Sequence, residues 1–541
     1  MDRVRILLLW SLLAGTGGLI TALNGCGGGT AMTAPPPGPP TAVLTANPVV
    51  ILKGQSTTLT WQASNATSVS ISGIGAVPAS GSQQVTPAAS TAYTLTASGT
   101  DGSKQSTAQV TVAAGKILHV IVIFQENRTP DNLFQDPVLI QRGADIQNYG
   151  LKSDGEKVPL TPTTLKTDYD LGHGHDSFLR MYDNGLMDGA DKILVTCNKD
   201  ATVGCPPPQP WFQYIEPSGV APYYALAEAY TFGDRMFQTN QGPSFPAHQY
   251  IISGTSAPSS GSTLFAAENP VGGPDPFHIA GCIAPPQETV ALLDPTGAET
   301  QKIYPCFEHA TLTDELNSQG ISWRYYTPSA GVIWTAPNAI QHMCVPNAAP
   351  PNGTACTGSD WNDHVVLQNT QVLTDIQNGQ LATVSWVIPR GQASDHAGQN
   401  DGSGPSWVAS VVNAVGSSQY WANTAIFITW DDWGGWYDHV APPINPNNAY
   451  EYGFRVPLIV VSPYAKAANI SHVTHHFGSI LKYIEENFGL SSLGYADVDA
   501  DDFADCFDYS QSPLVFRAIK APLDAKHFLQ DKTPPTDPDD D

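Results

Sequence analysis

With 541 residues, the chain exceeds one ordinary domain and has room for a large core plus an accessory module. Only 13% of its residues are charged, against 48 glycines and 45 prolines, a balance that speaks for many short elements joined by shaped loops and against a helical bundle. The formal net charge of −25, from 24 Lys and Arg against 49 Asp and Glu, argues against nucleic acid as a partner and against a basic face for anionic membranes.

Arg3 and Arg5 precede an apolar run over 6–13 and then small residues up to Cys26, the layout of an export signal. Residues 1–25 are read as that signal and 26–41 as a Gly- and Pro-rich linker. Leu23-Asn24-Gly25-Cys26 resembles a bacterial lipobox, in which the Cys carries lipid and becomes the first residue of the mature chain. The expectation is an exported protein touching a membrane through an N-terminal lipid anchor, at the outer membrane or cell surface. A plainly cleaved signal, leaving a secreted or periplasmic chain, is the alternative. Of the 8 cysteines, six lie as close neighbours, Cys197 with Cys205, Cys282 with Cys306 and Cys344 with Cys356, which suits loop staples in an oxidising compartment and leaves Cys506 over.

Residues 42–114 alternate apolar and polar side chains in short runs (56–61, 68–71, 92–97, 108–112), the pattern of a small all-β sandwich. Its runs GQSTTLTW and TAYTLTASG resemble the immunoglobulin-like modules of bacterial surface proteins. The character changes at Lys116. The run 117–124 is continuously apolar and β-branched, as in a strand buried on both faces of a mostly parallel sheet, and 383–388, 424–430 and 456–461 look alike. Helical patterns fall between them at 311–319, 407–416 and 476–488, the last with Ile480, Leu481, Ile484 and Phe488 on one face. Residues 115–530 therefore read as one layered α/β domain, and the acidic, Pro-rich 531–541 as a disordered tail.

Ligands in α/β sheets sit beyond the carboxyl ends of the strands. The first buried run ends in Gln125-Glu126-Asn127-Arg128, and 424–430 ends in Asp431-Asp432. Three carboxylates and an amide oxygen are hard ligands suited to a divalent cation, Ca²⁺, Mg²⁺, Mn²⁺ or Zn²⁺. Either pair alone is ordinary turn chemistry; two such endings in one sheet make a site.

The run HVIVIFQENRTPDNLF (119–134) closely resembles the opening motif of the bacterial phosphoesterase family that contains phosphatidylcholine-type phospholipases C and related acid phosphatases. Five further segments match that family in order: YDLGHGHDSFLRMYDNGLMDG, FGDRMFQTNQGPSFPAHQYIISGT, TLTDELNSQGISWRYY, FITWDDWGGWYDHVAPP and GFRVPLIVVSPYAK. The resemblance implies an alkaline-phosphatase-like fold, with a layered, mostly parallel sheet flanked by helices, and hydrolysis of phosphate esters. It implies Glu126, Asn127, Asp431 and Asp432 as metal ligands, joined by Ser244 of GPSFP, the nucleophile that forms a phosphoseryl intermediate. Ser244 also precedes a helical pattern over 246–252, whose first amides suit a phosphate. His173 falls on a motif histidine, and His396 in Ser394-Asp395-His396 resembles the family's Ser-Glu-His-Pro element; either is the expected general acid, with His439 a third catalytic candidate that holds the metal loop or touches phosphate. His175, His475 and His476 rank below these.

Two departures stand out. Where the phospholipases carry Pro-Asn-Arg after the nucleophile, this chain has Pro246-Ala247-His248, and where they carry Asp-Glu it has Asp431-Asp432, as in the acid phosphatase branch. The substrate expected first is a small phosphate monoester, with a phospholipid second. Trp430, Trp433, Trp436 and Tyr437 are read as a packed loop, with a choline cage as the sharper alternative. No G-x-S-x-G, H-E-x-x-H or P-loop pattern supports another hydrolase. A surface adhesin with an inactive phosphoesterase domain is the rival outside enzymes.

Overall fold

The computed structural model describes residues 38–535 apart from 200, 202–203, 273–278 and 446–447. The export signal, Cys26, the linker up to 37 and the tail beyond 535 lie outside the described residues. Two small sheets make the N-terminal module: Thr41–Asn47, Thr57–Ser64 and Ser80–Val85 in one, and a five-stranded sheet built around Thr91–Gly99 and Gly102–Ala113 in the other. The alternation read over 56–61 continues through the strand Thr57–Ser64 residue by residue, so that one face enters a shared core of Leu44, Leu59, Trp61, Ile71, Leu95 and Val110.

The larger domain is organised by an eight-stranded sheet in the order Val365–Val366, Trp323–Tyr326, Val384–Val387, His119–Gln125, Thr424–Trp430, Leu458–Val461, Thr231–Gly233, Asn469–Ser471. Neighbours run parallel except around Leu458–Val461, which is antiparallel to both of its partners. The run 456–461 thus joins the sheet against the direction expected of it. An apolar run reports burial on both faces and carries no sign of direction. Helices Pro217–Ala229, Ser244–Ser253, Gly404–Gly416 and Phe477–Phe488 cover the sheet, and Ile480, Leu481, Ile484 and Phe488 are all buried. Among the described residues no helix is long and apolar enough to cross a membrane.

Among the described residues the disulfides are Cys197–Cys205, Cys282–Cys306 and Cys344–Cys356, and Cys506 is a buried free thiol. The described part of the tail is not loose, contrary to its composition. Arg390 pairs with Asp531 at 2.8 Å and the Gln392 amide donates to the Pro534 carbonyl at 2.6 Å, so a cation and an amide supplied by the domain hold a segment that reads as solvated from its own residues.

Candidate active site

Register brings the two acidic strand ends together. Gln125 lies opposite Trp430 in parallel neighbours, so Glu126-Asn127 and Asp431-Asp432 leave the sheet side by side. The chains stay tied past the last rung: Asp431 N–H donates to the Gln125 carbonyl at 2.9 Å, and Arg128 N–H to the Asp432 carbonyl at 2.9 Å. Asn127 takes a left-handed φ of 62°, a turn conformation that Asn tolerates better than most residues. Gly434 packs so closely on it that a Cβ would stand 2.4 Å from the Asn127 carbonyl.

Ser244 is the first residue of the helix Ser244–Ser253, which starts two residues earlier than its apolar pattern. Its hydroxyl lies 3.3 Å from both Glu126 Oε2 and Asp432 Oδ2. One turn on, His248 brings Nε2 to 3.0 Å from Glu126 Oε1 and 3.9 Å from Asp431 Oδ2. Glu126, Asn127, Ser244, His248, Asp431 and Asp432 are all fully buried. Burial, followed by the charges of Asp431 and Asp432, holds the Glu126 carboxyl well above the usual range, and burial pulls His248 down to about 4.

The donor set fits a divalent cation. Asn127 turns its amide nitrogen to His173 Nε2 at 2.9 Å and its oxygen toward Glu126 Oε2 and Asp431 Oδ1, 3.1 Å from each. Oxygen then faces oxygen, which a cation between them relieves, as does a turned amide. Asp431 Oδ2 is buried without a hydrogen-bond partner, an unmet acceptor costly in an apolar interior.

His173 stands on this cluster, with Nδ1 donating to the Leu171 carbonyl at 2.7 Å and Nε2 4.0 Å from Asp432 Oδ2. His396 packs edge-on against it, ring centres 5.7 Å apart, and its own Nδ1 donates to the Ala397 carbonyl at 2.6 Å. Each carbonyl fixes Nδ1 as the protonated nitrogen and leaves the lone pair of the neutral ring on Nε2. Asp395, at a positive φ of 90°, aims its carboxylate away from His396 to Tyr223 Oη (2.7 Å) and Trp430 Nε1 (3.1 Å), and burial lifts it to about 7.

His439 does not share these contacts. Nδ1 lies 2.7 Å from Asp131 Oδ2 and Nε2 3.0 Å from Asp145 Oδ1, so both ring nitrogens are engaged by carboxylates. Nor do the aromatics form a cage: Trp430, Trp433 and Trp436 are fully buried, Tyr437 nearly so, and the Arg128 guanidinium sits 4.7 Å over the Trp436 ring. Of the lower-ranked histidines, His175 binds Glu299 at 2.6 Å, His475 binds Asp501 at 2.9 Å, and His476 caps Phe477–Phe488. Sequence reading noticed His248 only as a departure from a motif. The signal that could have found it was its i, i+4 spacing from Ser244, which puts both side chains on one helix face.

The model of the phosphoesterase family matches residues 117–491. The hemolytic phospholipase C of Pseudomonas aeruginosa is 23% identical over 69% of this chain and 53% of its own, and the non-hemolytic phospholipase C of Burkholderia pseudomallei 25% identical over 68% and 55%. The chain thus spans about half the length of these curated relatives. Among solved structures, a protein of the alkaline phosphatase superfamily from Vibrio parahaemolyticus superposes with a TM-score of 0.30 at 9% identity, covering 72% of this chain and 71% of that one.

Proposed function

The chain belongs to the phosphoesterase family, and from that premise we propose that it hydrolyses phosphate esters, with Ser244 as the nucleophile and a divalent cation held by Glu126, Asn127, Asp431 and Asp432 together with Ser244. The observation that carries the reading is the convergence of buried oxygens on the Ser244 hydroxyl, 3.3 Å from Glu126 and from Asp432, at the first turn of a helix. When bound, the cation would neutralise charge on the phosphoryl oxygens and lower the cost of an alkoxide at Ser244. The His248 imidazole, neutral and 3.0 Å from Glu126, joins the donor set.

Ser244 Oγ passes its proton to Glu126 or Asp432 and attacks phosphorus. The Oγ–P bond forms, the bond from phosphorus to the leaving oxygen breaks, and that oxygen takes a proton from the imidazolium of His396 or His173. Water then attacks the phosphoseryl group, yielding its proton to the same imidazole. The P–Oγ bond breaks, and Oγ takes back the proton held by Glu126 or Asp432, which restores the hydroxyl. The first amides of Ser244–Ser253 suit the anion throughout.

A small phosphate monoester is the substrate we place first, because Asp431-Asp432 and Ala247-His248 both depart from the phospholipase pattern. A phospholipid diester comes second, favoured by the two phospholipase C relatives. We further propose export through residues 1–25, with anchoring through Cys26. The test is a metal-depleted, reconstituted assay on an aryl phosphate beside phosphatidylcholine vesicles, with Ser244→Ala alongside and a search for phosphoserine on the Ser244 peptide. Full activity in Ser244→Ala overturns the nucleophile. Inactivity on both substrates with Ca²⁺, Mg²⁺, Mn²⁺ and Zn²⁺ favours a binding role on the cell surface.

A further inference from the structure

Two helices of the candidate site begin against the same short stretch of chain. The helix His175–Tyr182 follows His173 and is N-capped by Gly174, and Ser244–Ser253 follows Gly242-Pro243. A Cβ on Gly174 would stand 2.6 Å from Glu268 Oε2, and one on Gly242 would stand 2.1 Å from the Ala267 carbonyl oxygen. Hydrogen bonds complete the contact. His175 N–H donates to Glu268 Oε1 at 2.9 Å, and Phe245 N–H donates to Asn269 Oδ1 at 2.9 Å. Consecutive side chains therefore each satisfy an orphan amide at the start of a different helix, where neither helix has a side-chain cap of its own.

The stretch is rigidly seated. Phe265–Ala266 pairs antiparallel with Val290–Leu293, Ala266 N–H donates to the Ser256 carbonyl and Ala267 N–H to the Ala291 carbonyl, each at 2.9 Å. The Ala267 carbonyl also accepts from the buried Tyr450 hydroxyl at 3.0 Å. A clamp of this stiffness transmits position, since a shift of about 1 Å in a reacting group is enough to cost roughly 10²-fold in rate.

The geometry points to Glu268 and Asn269 as positioning residues that set Ser244 and His173 relative to one another; this rests on the reading of those two residues given above. Both act through hydrogen bonds to backbone, so an isosteric acceptor serves as well as the native one. Glu268→Gln keeps the accepting oxygen without adding a charge, whereas Glu268→Ala and Asn269→Ala remove it.

The test uses the full chain and two readouts. Hydrogen exchange, followed by mass spectrometry on peptides from 175–182 and 244–253, speeds up about tenfold in the matching Ala variant, the loss of one net hydrogen bond. In the metal-reconstituted aryl phosphate assay, the Ala variants lose roughly 10- to 10²-fold in kcat with little change in KM, whereas Glu268→Gln keeps both readouts near wild type. Unchanged exchange at both helix starts overturns the clamp, as does a kcat loss in Glu268→Gln equal to that in Glu268→Ala. An inactive wild type, or a fully active Ser244→Ala, counts against the nucleophile reading, and the exchange measurement still decides the clamp.

Discussion

Two buried acidic clusters lie in this domain, and they solve the same electrostatic problem in opposite ways. In one, Asp131, Asp438 and Asp145 surround the Arg455 guanidinium and the His439 ring: Arg455 Nε bonds Asp438 at 2.8 Å, its Nη2 lies 3.4 Å from Asp131, and its Nη1 donates to the Asp145 and Asp234 carbonyls at 2.8 Å. Cations from the chain itself are built in. In the other, Glu126, Asp431 and Asp432 meet Asn127, Ser244, His173 and His248, with no Lys or Arg in these contacts among the described residues. Burying charge without a partner is costly, so the second cluster suits a cation from outside where the first holds its own. Acid content alone does not separate a self-neutralised network from a candidate metal site; a resident guanidinium marks the first.

The comparison breaks first at Arg455. Arg455→Met strands Asp438 and Asp131 as buried charges and should lower stability by roughly 3–5 kcal/mol, read by denaturant unfolding and unchanged by added divalent metal. Next comes Asp431→Asn, which should cut turnover of an aryl phosphate roughly 10²- to 10³-fold, the several kcal/mol that a divalent ion supplies, while leaving the metal-free protein as stable as wild type or more so because like charges are relieved. Chelation sharpens the contrast further. Stripping metal should lower wild-type stability by about 2–3 kcal/mol relative to ion at a hundredfold its Kd, and should leave Asp431→Asn unmoved. A melting temperature indifferent to metal in wild type would refute the assignment of the second cluster.

The smallest effect is alkaline. Burial pulls against the His439 imidazolium, but the hydrogen bond and charge of Asp131 outweigh it and lift the ring from 6.5 to about 9. A raised folded pKa means that the contribution is fully present below about 6.5 and is lost as pH rises through about 9. Stability should therefore fall between pH 7 and 10 by an amount on the order of 1–3 kcal/mol, and His439→Gln should flatten that slope. An unaltered slope in the variant would remove His439 from the network.

Much of the site was legible because it is local. The apolar runs over 117–124 and 424–430 show burial on both faces in their residue types alone, and each leads into the acids it delivers. The near-neighbour cysteines also found their partners, since short loops close at little entropic cost. His248 was harder to see: its motif differs from the phospholipase pattern, and only the helix starting at Ser244 turns it onto Glu126. His439 and the aromatic loop were ambiguous for a related reason, as a His between carboxylates and a His beside phosphate look alike until their neighbours are known.

What the chain determines by itself, then, is the identity of its strand ends and the family to which they belong, because strand termination and side-chain chemistry depend on consecutive residues. The tertiary structure alone decided that Leu458–Val461 runs against its neighbours, that Arg455 claims Asp438 and Asp131, and that Glu268 and Asn269 hold two helix starts in register. Those outcomes depend on contacts between residues far apart along the chain, and such pairings follow from the packing of the whole domain.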